Sequence, residues 1–368
     1  KYLRTLRGDA KNSISEVFSS VPDDSGASTW RTDNTAKKLD FSYLQKCVKL
    51  LSRQGIAFNY TLNRLCCSNN EYSGAFAAKY FKFLDKLKGI GITSLTLSNP
   101  YIVELTRRYR PGFDIWLSSY NNLAHASQIE RFLQMGVRKF ILSPDVNRNF
   151  KLLRKIKTKY DVEISLIANE PCIVNCPIYS YHATSFSHRQ EVLADEEVNH
   201  RCETYPFLHC NLTRLSDLSE IIKSPWIRPI DVKYYEDIGV DSLKIATRSW
   251  PVKRTIQIVN AYLEEKEIKD FYNLISHGYG NNFGHTPAGD PLPHLDINID
   301  SLPHDFLDNF LKKTCGFGCC DPCDYCRKMA AKYIKVDKKL LQRYVRNIKD
   351  LLADCTRVKA RSSSKTPG

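Results

Sequence analysis

Short apolar runs alternate with longer amphipathic segments along residues 1–250 of the chain. One local pattern recurs, in which a helical segment is followed by a glycine and then by a run rich in apolar and β-branched residues. Glycine at the end of a helix adopts the left-handed conformation at little cost. Each unit therefore predicts a helix, a glycine turn and a buried strand. The recurring units begin at Gly55, Gly91, Gly136 and Gly239.

The segments between these runs have the apolar spacing of helices. One helical face combines Phe76, Tyr80, Phe83, Leu84 and Leu87, and a shorter one combines Leu152, Leu153 and Ile156. Three further runs, at residues 14–18, 114–119 and 163–168, bring the number of strand-like units to seven. Strands that alternate with helices predict an α/β protein with a parallel sheet.

Seven such units predict a (β/α)8-like, TIM-type barrel that lacks one strand. We place the missing strand at or before Lys1, so that the barrel is incomplete at its N-terminus. A doubly wound open sheet is the alternative. No Gly-x-Gly-x-x-Gly follows the first strand, which disfavours a dinucleotide-binding fold.

The chain divides into three parts by composition. We expect a barrel over residues 1–275, a Cys-rich metal-binding extension with a helix over 276–355, and a disordered basic tail over 356–368. Within them the pattern predicts loops at 20–35 and 276–304, an insertion at 189–209, and helices at 253–275 and near 327–354.

Composition limits the cellular setting. The chain has 368 residues, of which 42% are hydrophobic, and no apolar run reaches the roughly 18 residues of a membrane span. It begins at Lys1 without an initiator Met, which leaves open a targeting peptide removed from the N-terminus. Thirteen cysteines is an odd number. In so long a chain this favours metal binding in the cytoplasm or another reducing compartment over a disulfide framework.

Four cysteines lie at or beyond the ends of predicted strands. Cys66 follows the run at 56–63, and Cys172 and Cys176 follow the run at 163–169, with Cys210 further along the same connection. The loops after parallel strands of a barrel share one face, so these thiolates can meet there. A set of thiolate ligands favours zinc or an iron–sulfur cluster.

A second cysteine group lies in the predicted extension. Five cysteines fall within residues 315–326, a density that indicates a metal site. The compact spacing favours an iron–sulfur cluster, with zinc as the alternative. The predicted ligands are Cys315, Cys319, Cys323 and Cys326, with Cys320 as the odd one out. Cys47 and Cys355 are interpreted as ordinary packed thiols.

Polar residues near the same barrel face are candidates for chemistry. Alternation puts Lys244 on the face of its strand that points into the barrel, where it needs a substrate anion or an internal acid such as Glu170. The candidate catalytic residues are Lys244, Arg248, Glu170 and His182. The candidate substrate-binding residues are Asn59, Asn63, Ser118, Asn121 and Arg228.

One segment carries a family resemblance. Residues 231–248 read Asp-Val-Lys-Tyr-Tyr-Glu-Asp-Ile-Gly-Val-Asp-Ser-Leu-Lys-Ile-Ala-Thr-Arg, which resembles the L-x-x-L-x-x-x-G-[IV]-D-S-[LF]-K-I-x-[GA]-R signature of the collagenase-like peptidase U32 family. The resemblance extends over roughly residues 14–275. Some members of that family are iron–sulfur proteins that hydroxylate ubiquinone precursors or RNA bases without oxygen.

The resemblance implies a four-cysteine cluster on a barrel-like core, of the 4Fe-4S type. In the nearest subgroup one cysteine is early and three are later, which implies Cys66, then Cys172, Cys176 and Cys210. The Cys172-x3-Cys176 spacing is tighter than the usual signature, and Cys67 and Cys202 remain alternatives for the fourth ligand. The Glu-x-Phe-x-x-Gly collagenase signature is not visible, so peptidase activity is less supported than the fold.

Three functions follow from these patterns. The first is an iron–sulfur-dependent oxidation or hydroxylation of an anionic substrate, either a small molecule or a modified macromolecule. The second is a U32-type peptidase or hydrolase, although neither Gly-x-Ser-x-Gly nor His-Glu-x-x-His is present. The third is an RNA-binding or scaffold subunit with an RNA or protein partner, which the net charge of +14 favours.

Overall fold

The computed structural model describes residues 13–21, 25–28, 40–188, 196–247, 250–275, 284–313, 315 and 320–357. Within these ranges no helix is both long and apolar enough to cross a membrane. Strands and helices alternate over the first two thirds of the chain, and a smaller two-stranded sheet follows. The α/β class predicted from the sequence is confirmed.

Seven parallel strands form the main sheet and lie in it in chain order. They are β1 (Glu16–Ser19), β2 (Ala57–Leu62), β3 (Ser94–Leu97), β4 (Asp114–Leu117), β5 (Lys139–Ile141), β6 (Glu163–Ile167) and β7 (Ser242–Lys244). Each coincides with a predicted strand. The sheet curls into a half-barrel, with β1 and β7 as its two edges, and within the described ranges no eighth strand joins those edges.

Helices cover the outer side of the sheet and continue into the C-terminal part. They are α1 (Phe41–Ser52), α2 (Gly74–Gly89), α3 (Pro100–Tyr109), α4 (Ala126–Gln134), α5 (Phe150–Lys159), α6 (Tyr179–His188), α7 (Glu196–Ser216), α8 (Ser219–Lys223), α9 (Val232–Glu236), α10 (Val252–Leu263), α11 (Phe271–Ile275), α12 (Asp308–Lys312), α13 (Cys320–Cys323), α14 (Tyr325–Tyr333) and α15 (Lys338–Cys355). Polar side chains begin several of them: Asp40, Ser73, Asn99 and Asn149 accept hydrogen bonds from first-turn amides.

Glycines end helices directly before strands, as the sequence pattern predicts. Gly91 follows α2 with φ of 91°, and Gly239 follows α9 with φ of 87°. At each, the next amide reaches back to the end of the helix: Ile92 N–H donates to Leu87 O, and Val240 N–H donates to Tyr235 O, both over 3.0 Å. A side chain at such a φ is strained, so glycine sets the point at which the chain turns into the sheet.

The main core lies between the outer side of the sheet and these helices. The predicted apolar face of α2 is buried in it at Phe76, Tyr80, Phe83, Leu84 and Leu87. The fully buried Tyr80 hydroxyl is satisfied by the hydroxyl of Thr106 on α3, 2.8 Å away. Burial of large apolar side chains contributes about 1.5–3 kcal/mol each.

The inner side of the sheet is more polar than the outer side. Strand register places Asn59 beside Ser94, Trp116 beside Lys139, and Ile167 beside Lys244, and directly paired residues of parallel strands share a face. At the amino end of the sheet, Lys139 Nζ lies 2.7 Å from Asp114 and 3.0 Å from Glu163. Ion pairs therefore occupy the amino end of the sheet. The loops at its carboxyl end are the ones that can form a functional site.

The C-terminal part differs from the sequence predictions in three places. The predicted helix at 253–275 is broken between α10 and α11, where Glu265 and Asp270 have φ of 49° and 55°. The helix predicted near 327–354 is two helices, separated by β9 (Ile334–Val336), which pairs antiparallel with β8 (Ile297–Ile299) in the predicted loop. Part of the predicted insertion is helix α7, on which α15 packs.

Candidate thiol site at the carboxyl end of the sheet

The four cysteines of the predicted barrel site follow strand ends. Cys66 lies in the loop after β2, Cys172 and Cys176 lie in the loop after β6, and Cys210 lies on α7. All four are partly exposed. Because β2 and β6 are parallel, both loops leave the sheet at its carboxyl end. The sequence-based placement of these loops therefore agrees with the structure.

Three of these thiols share one electrostatic environment. Cys172 Sγ donates to Glu170 Oε1 over 3.1 Å. Burial raises the pKa of Cys210, and the neighbouring Cys176 and Glu170 raise it further, while Arg214 acts in the opposite direction. Cys176 has its pKa raised mainly by burial, again opposed by Arg214. The loop after β6 and helix α7 thus bring the later cysteines together around one carboxylate and one cation.

Arg214 is a site residue that the sequence reasoning missed. Its side chain is buried, with one guanidinium nitrogen donating to Pro171 O and another to Asn211 Oδ1 over 3.2 Å. A cation beside thiols favours their thiolate form, which is the form that binds metals. Arg214 lies one helical turn after Cys210. If this segment is taken to be a helix, the i, i+4 spacing predicts that the two side chains are neighbours.

The cysteine loop is fixed to the neighbouring strand end. The amide of Asn175, which has φ of 53°, donates to Asp145 Oδ1 over 3.1 Å. Burial raises the pKa of Asp145. Tyr179, at the start of α6, donates its hydroxyl to Ser119 O over 3.1 Å, and burial together with the nearby Cys172 raises its pKa. These contacts anchor both ends of the loop to the connections after β4 and β5.

The loop that carries Cys66 reaches this region through α6. Arg64 Nε donates to Ser187 O over 2.6 Å, and Leu65 N–H donates to Ser187 Oγ over 3.0 Å. Ser68 Oγ lies 2.9 Å from His188 Nδ1. Helix α6 therefore links the early cysteine loop to the later one, which ends just before that helix.

The donor set fits an iron–sulfur cluster in chemistry but is not assembled around one. Thiolates are the ligands that such clusters require, and the buried Arg214 lies near two of them, Cys176 and Cys210. Among the described residues, however, no three His, Cys, Asp or Glu side chains lie in metal-binding geometry. Binding therefore requires the cysteine side chains to move closer together, and Cys66 is the candidate for the fourth position.

Lys244 lies inside the half-barrel, as alternation predicts. Its Nζ is 3.7 Å from the centroid of the Phe18 ring on β1. Burial lowers the pKa of Lys244 to about 8, and the nearby Glu16 carboxylate opposes this shift. The acid that interacts with Lys244 is therefore Glu16 on β1, not Glu170, which the sequence analysis suggested as the ion-pair partner. Arg248, the other predicted cation, lies outside the described residues.

Asn59 belongs to a hydrogen-bond chain that reaches Glu16. Its Nδ2 donates to Ser94 Oγ over 2.8 Å, and its Oδ1 accepts from Thr96 Oγ1 over 2.6 Å. Ser94 Oγ in turn donates to Glu16 Oε2 over 2.7 Å. Burial raises the pKa of Glu16, partly offset by Ser94 and Lys244. Asn59 thereby positions the acid that interacts with Lys244.

The remaining candidates near the carboxyl end occupy different settings. Ser118 Oγ accepts from the amide of Tyr120 over 3.3 Å, and Asn121 Nδ2 donates to Ser118 O over 3.3 Å, so both hold the turn after β4. Asn63 is partly buried just after β2. The His182 ring, on α6, packs against Phe186 and Phe207, with centroids 4.8 Å and 5.4 Å away.

Arg228 is engaged by the protein itself. Its guanidinium donates to both carboxylate oxygens of Asp231, over 2.6 Å and 2.8 Å. It also donates to the carbonyls of Leu302 and Pro303, over 3.1 Å and 3.0 Å. The structure therefore places this predicted substrate-binding residue between the barrel and the C-terminal part, where it connects the two.

The C-terminal cysteines are partly described. Cys315, Cys320, Cys323 and Cys326 are partly exposed, whereas Cys319 lies outside the described residues. Burial raises the pKa of Cys326 to about 12, with further contributions from Cys315 and Cys320. These thiols thus form a group of their own, and Cys320, which the sequence analysis set aside, lies within it.

Comparisons with known proteins agree with the family resemblance. Residues 11–180 match the model of Peptidase family U32. A protein named Uncharacterized protease MJ1657, from Methanocaldococcus jannaschii, is 27% identical over 339 residues, covering 91% of this chain and 93% of that protein. The tRNA hydroxylation protein P1 of Bacillus subtilis is 24% identical over 193 residues, covering 48% of this chain and 44% of that protein.

A solved structure, that of the U32 peptidase Mk0906, is similar over 63% of this chain and 85% of its own, with a TM-score of 0.45 and 14% identity. The parallel half-barrel with a thiol site at its carboxyl end defines the class as an α/β barrel-like protein. Both the family match over residues 11–180 and the nearly full-length relative make this chain similar to proteins of Peptidase family U32. Residues 231–248, which resemble the family signature, lie outside the range that the family model matches. The signature and the model match are therefore separate indications of the same similarity.

Proposed function

We propose that this chain is an iron–sulfur-dependent enzyme that oxidises or hydroxylates an anionic substrate without molecular oxygen. The observation that carries the proposal is the grouping of Cys172, Cys176 and Cys210 around Glu170 and the buried Arg214. Thiols grouped around a buried cation suit a cluster whose total charge is negative. This group of thiols lies at the carboxyl end of a parallel sheet, where barrel enzymes carry their active sites.

Each residue has a role in this proposal. The thiolates of Cys66, Cys172, Cys176 and Cys210 would hold the cluster, which supplies one-electron transfer when it is bound. Glu170 Oε1 already accepts the hydrogen bond of the Cys172 thiol. It can therefore receive the proton that metal binding displaces. Arg214 offsets the negative charge that the deprotonated sulfurs bring into a buried place.

Lys244 is proposed to bind the anionic group of the substrate. With a pKa of about 8, it is protonated at neutral pH. It pairs in register with Ile167, shortly before the loop that carries Glu170. Conversion of a substrate C–H to C–OH with water as the oxygen source releases two electrons and two protons. An external electron acceptor is therefore part of the proposed reaction.

RNA is the proposed macromolecular substrate. Two observations support it: one relative is named a tRNA hydroxylation protein, and the chain carries a net charge of +14. Phosphate backbones attract such basic proteins. Modified nucleosides in RNA from cells with and without the protein, separated by mass spectrometry, would reveal a hydroxylated base that depends on it.

A peptidase is the second candidate, because a relative that matches over nearly its whole length is named a protease. A cysteine peptidase needs a thiol whose pKa is lowered. Here burial raises the pKa of both Cys176 and Cys210. These raised pKa values disfavour nucleophilic attack by either thiol, whereas a metal can displace the proton when it binds.

Anaerobic purification tests the proposal directly. Iron, acid-labile sulfide and absorbance near 400 nm, an approximate value for thiolate-ligated iron, should fall when Cys172, Cys176 or Cys210 is replaced by alanine. Cys47→Ala on α1 is the matched control and should retain them. Unchanged iron in all three variants would rule out the assignment. If Cys66→Ala alone is silent, Cys67 or Cys202 becomes the fourth ligand.

A further inference from the structure

The positive charge of the chain is concentrated in its C-terminal part. Residues 325–349 contain nine Lys and Arg residues and a single acid, Asp337, which gives this segment a net charge of +8 out of the +14 of the whole chain. All nine cationic side chains are exposed. They are Arg327, Lys328, Lys332, Lys335, Lys338, Lys339, Arg343, Arg346 and Lys349.

Helix α15 places five of these cations on one face, which is called the basic face below. Successive residues of an α-helix are rotated by about 100°, so the five side chains fall within an arc of about 140°. The acids of the helix itself follow in its last turns, after residue 349. The members of the basic face are Lys338, Lys339, Arg343, Arg346 and Lys349.

The negative charge next to the basic face is already engaged. Asp337 caps α15, where its Oδ1 accepts hydrogen bonds from the amides of Lys339 and Leu340, over 2.8 Å and 3.0 Å. In the described part of the chain, the ion pair of Asp300 is made with Lys335, which precedes the helix, over 3.8 Å. The basic face therefore presents its charge to solvent.

The opposite face fixes the helix to the protein. Tyr344 and Ile348 are buried there, and the Tyr344 hydroxyl donates to Pro293 O over 2.9 Å. Asn347 Nδ2 donates to His285 O over 3.0 Å. Binding to a membrane surface requires a free apolar face, and the apolar face of α15 is occupied by these contacts. The basic face is thus left for a partner that is recognised by its negative charge.

The basic face is attached to a helix of the thiol site. Helix α15 packs against α7, and α7 carries Cys210 and Arg214. A partner bound along α15 is thereby held next to a helix that supplies part of that site.

We infer that the basic face of α15 is a docking surface for the phosphate backbone of RNA. Its cations extend along a rise of about 16 Å, which is long enough to meet several phosphates. Lys and Arg side chains that neutralise phosphates release bound counterions, and this supplies most sequence-independent affinity. Such contacts position a nucleic acid without reading its sequence. The choice of RNA as the partner rests on the proposed function.

Binding of a fluorescein-labelled RNA hairpin to full-length, metal-free protein provides the test. We expect the affinity of the wild type to fall steeply as salt rises. Lys339→Gln, Arg343→Gln and Arg346→Gln together should weaken binding about tenfold or more at about 0.1 M salt. The slope of the logarithm of affinity against that of salt should drop by roughly 2, because each lost phosphate contact removes about 0.7–0.9. Unchanged binding by this triple variant would overturn the inference.

The matched control removes the same charge from another exposed surface. Lys46→Gln, Lys49→Gln and Arg53→Gln together lie on and directly after α1, and this variant should bind the hairpin nearly as well as wild type. Equal weakening in the two triple variants would mean that only net charge matters, which would also overturn the docking surface.

A measurement on wild type covers the case in which the α15 variant fails to fold. The hairpin should protect Lys338, Lys339 and Lys349 from chemical acetylation, read by mass spectrometry, and leave Lys46 and Lys49 as reactive as before. Equal reactivity of the α15 lysines with and without RNA would contradict the inference.

Polyglutamate separates RNA from an acidic protein partner. At equal concentrations of charge it should displace the hairpin poorly, and displacement as efficient as that by unlabelled hairpin would assign the face to an acidic protein instead. Because every measurement uses metal-free protein, the result is independent of the thiol site. RNA binding together with an absence of iron in anaerobic protein would refute the proposed chemistry and support the docking surface.

Discussion

Lys244 Nζ, on the last strand of the sheet, lies 3.7 Å from the centroid of the Phe18 ring on the first strand. The contact joins the two edges of the half-barrel, which share no ladder of hydrogen bonds in the described structure. It also places a cation with a lowered pKa close to Glu16. Strands β1 and β7 therefore supply both the interaction between Lys244 and Glu16 and the contact between the two edges of the sheet.

The lowered pKa of Lys244 predicts a specific dependence of stability on pH. The pKa falls from 10.5 to about 8 on folding, so between these values the unfolded chain holds a proton that the folded chain has lost. Stability then rises with pH through this window, by at most about 3 kcal/mol from this group. Urea unfolding at several pH values should show the rise in wild type and a smaller one in Lys244→Met.

The matched control for this experiment is Lys46→Met, on an exposed position of α1. Other groups that titrate at high pH contribute equally to all three proteins, so the difference between the curves isolates Lys244. Curves of Lys244→Met and wild type that stay parallel from pH 8 to 10.5 would show that the lysine is not buried in the folded chain.

The same substitution tests the role of Lys244 in the proposed reaction. Because Met preserves the apolar contact with Phe18 but cannot bind an anion, Lys244→Met should keep its iron and lose product formation about tenfold or more, the scale of a lost charged hydrogen bond. In wild type the activity should fall as pH rises through about 8. Normal turnover by a stable Lys244→Met protein would end the proposal that this residue binds the substrate.

The buried Arg228–Asp231 pair predicts a large stability effect. Asp231→Asn leaves a buried guanidinium without its counter-charge, which costs about 3–5 kcal/mol when one partner of such a pair is removed. Asp237→Asn breaks the exposed pair with Lys233, and should cost no more than about 1 kcal/mol. Thermal and urea unfolding of the two variants measure the contrast.

A partner substitution sharpens this test. Arg228→Met in the Asp231→Asn background removes the stranded charge, so part of the lost stability should return. Equal unfolding free energies for Asp231→Asn and Asp237→Asn would contradict the large contribution expected from the buried Arg228–Asp231 pair.

The sequence predicted the parts of the fold that local patterns encode. Seven strands and the buried face of α2 follow from side-chain periodicity, and glycines such as Gly91 mark the turns between them. Strand β8 was missed because it lies in a proline-rich segment that predicts a loop, and β9 because it lies within a segment that predicts one continuous helix. The break after α10 was missed because Glu265 adopts a left-handed conformation without the glycine that usually signals one.

The candidate site was predictable only where it follows strand ends. The loops of Cys66, Cys172 and Cys176 could be placed from the order of strands, because parallel strands present their carboxyl ends together. Glu16 could not be chosen as the acid near Lys244, since that depends on the curl that brings β1 towards β7. Arg214 was missed because its segment was interpreted as part of an irregular connection rather than as helix α7.

Arg214 gives the last prediction, which separates a ligand site from a group of packed thiols. Its guanidinium acts to lower the pKa of both Cys176 and Cys210, so Arg214→Met should raise both. At a fixed pH near 8 the alkylation of these thiols in metal-free protein should slow, because a smaller fraction of each is then thiolate. Iron retention after anaerobic reconstitution should fall in parallel, because thiolates are the ligands.

Arg154→Met is the control and should alter neither quantity. Alkylation by mass spectrometry reads each cysteine separately. Slower alkylation with unchanged iron would mean that Arg214 affects the thiols but that the cluster lies elsewhere.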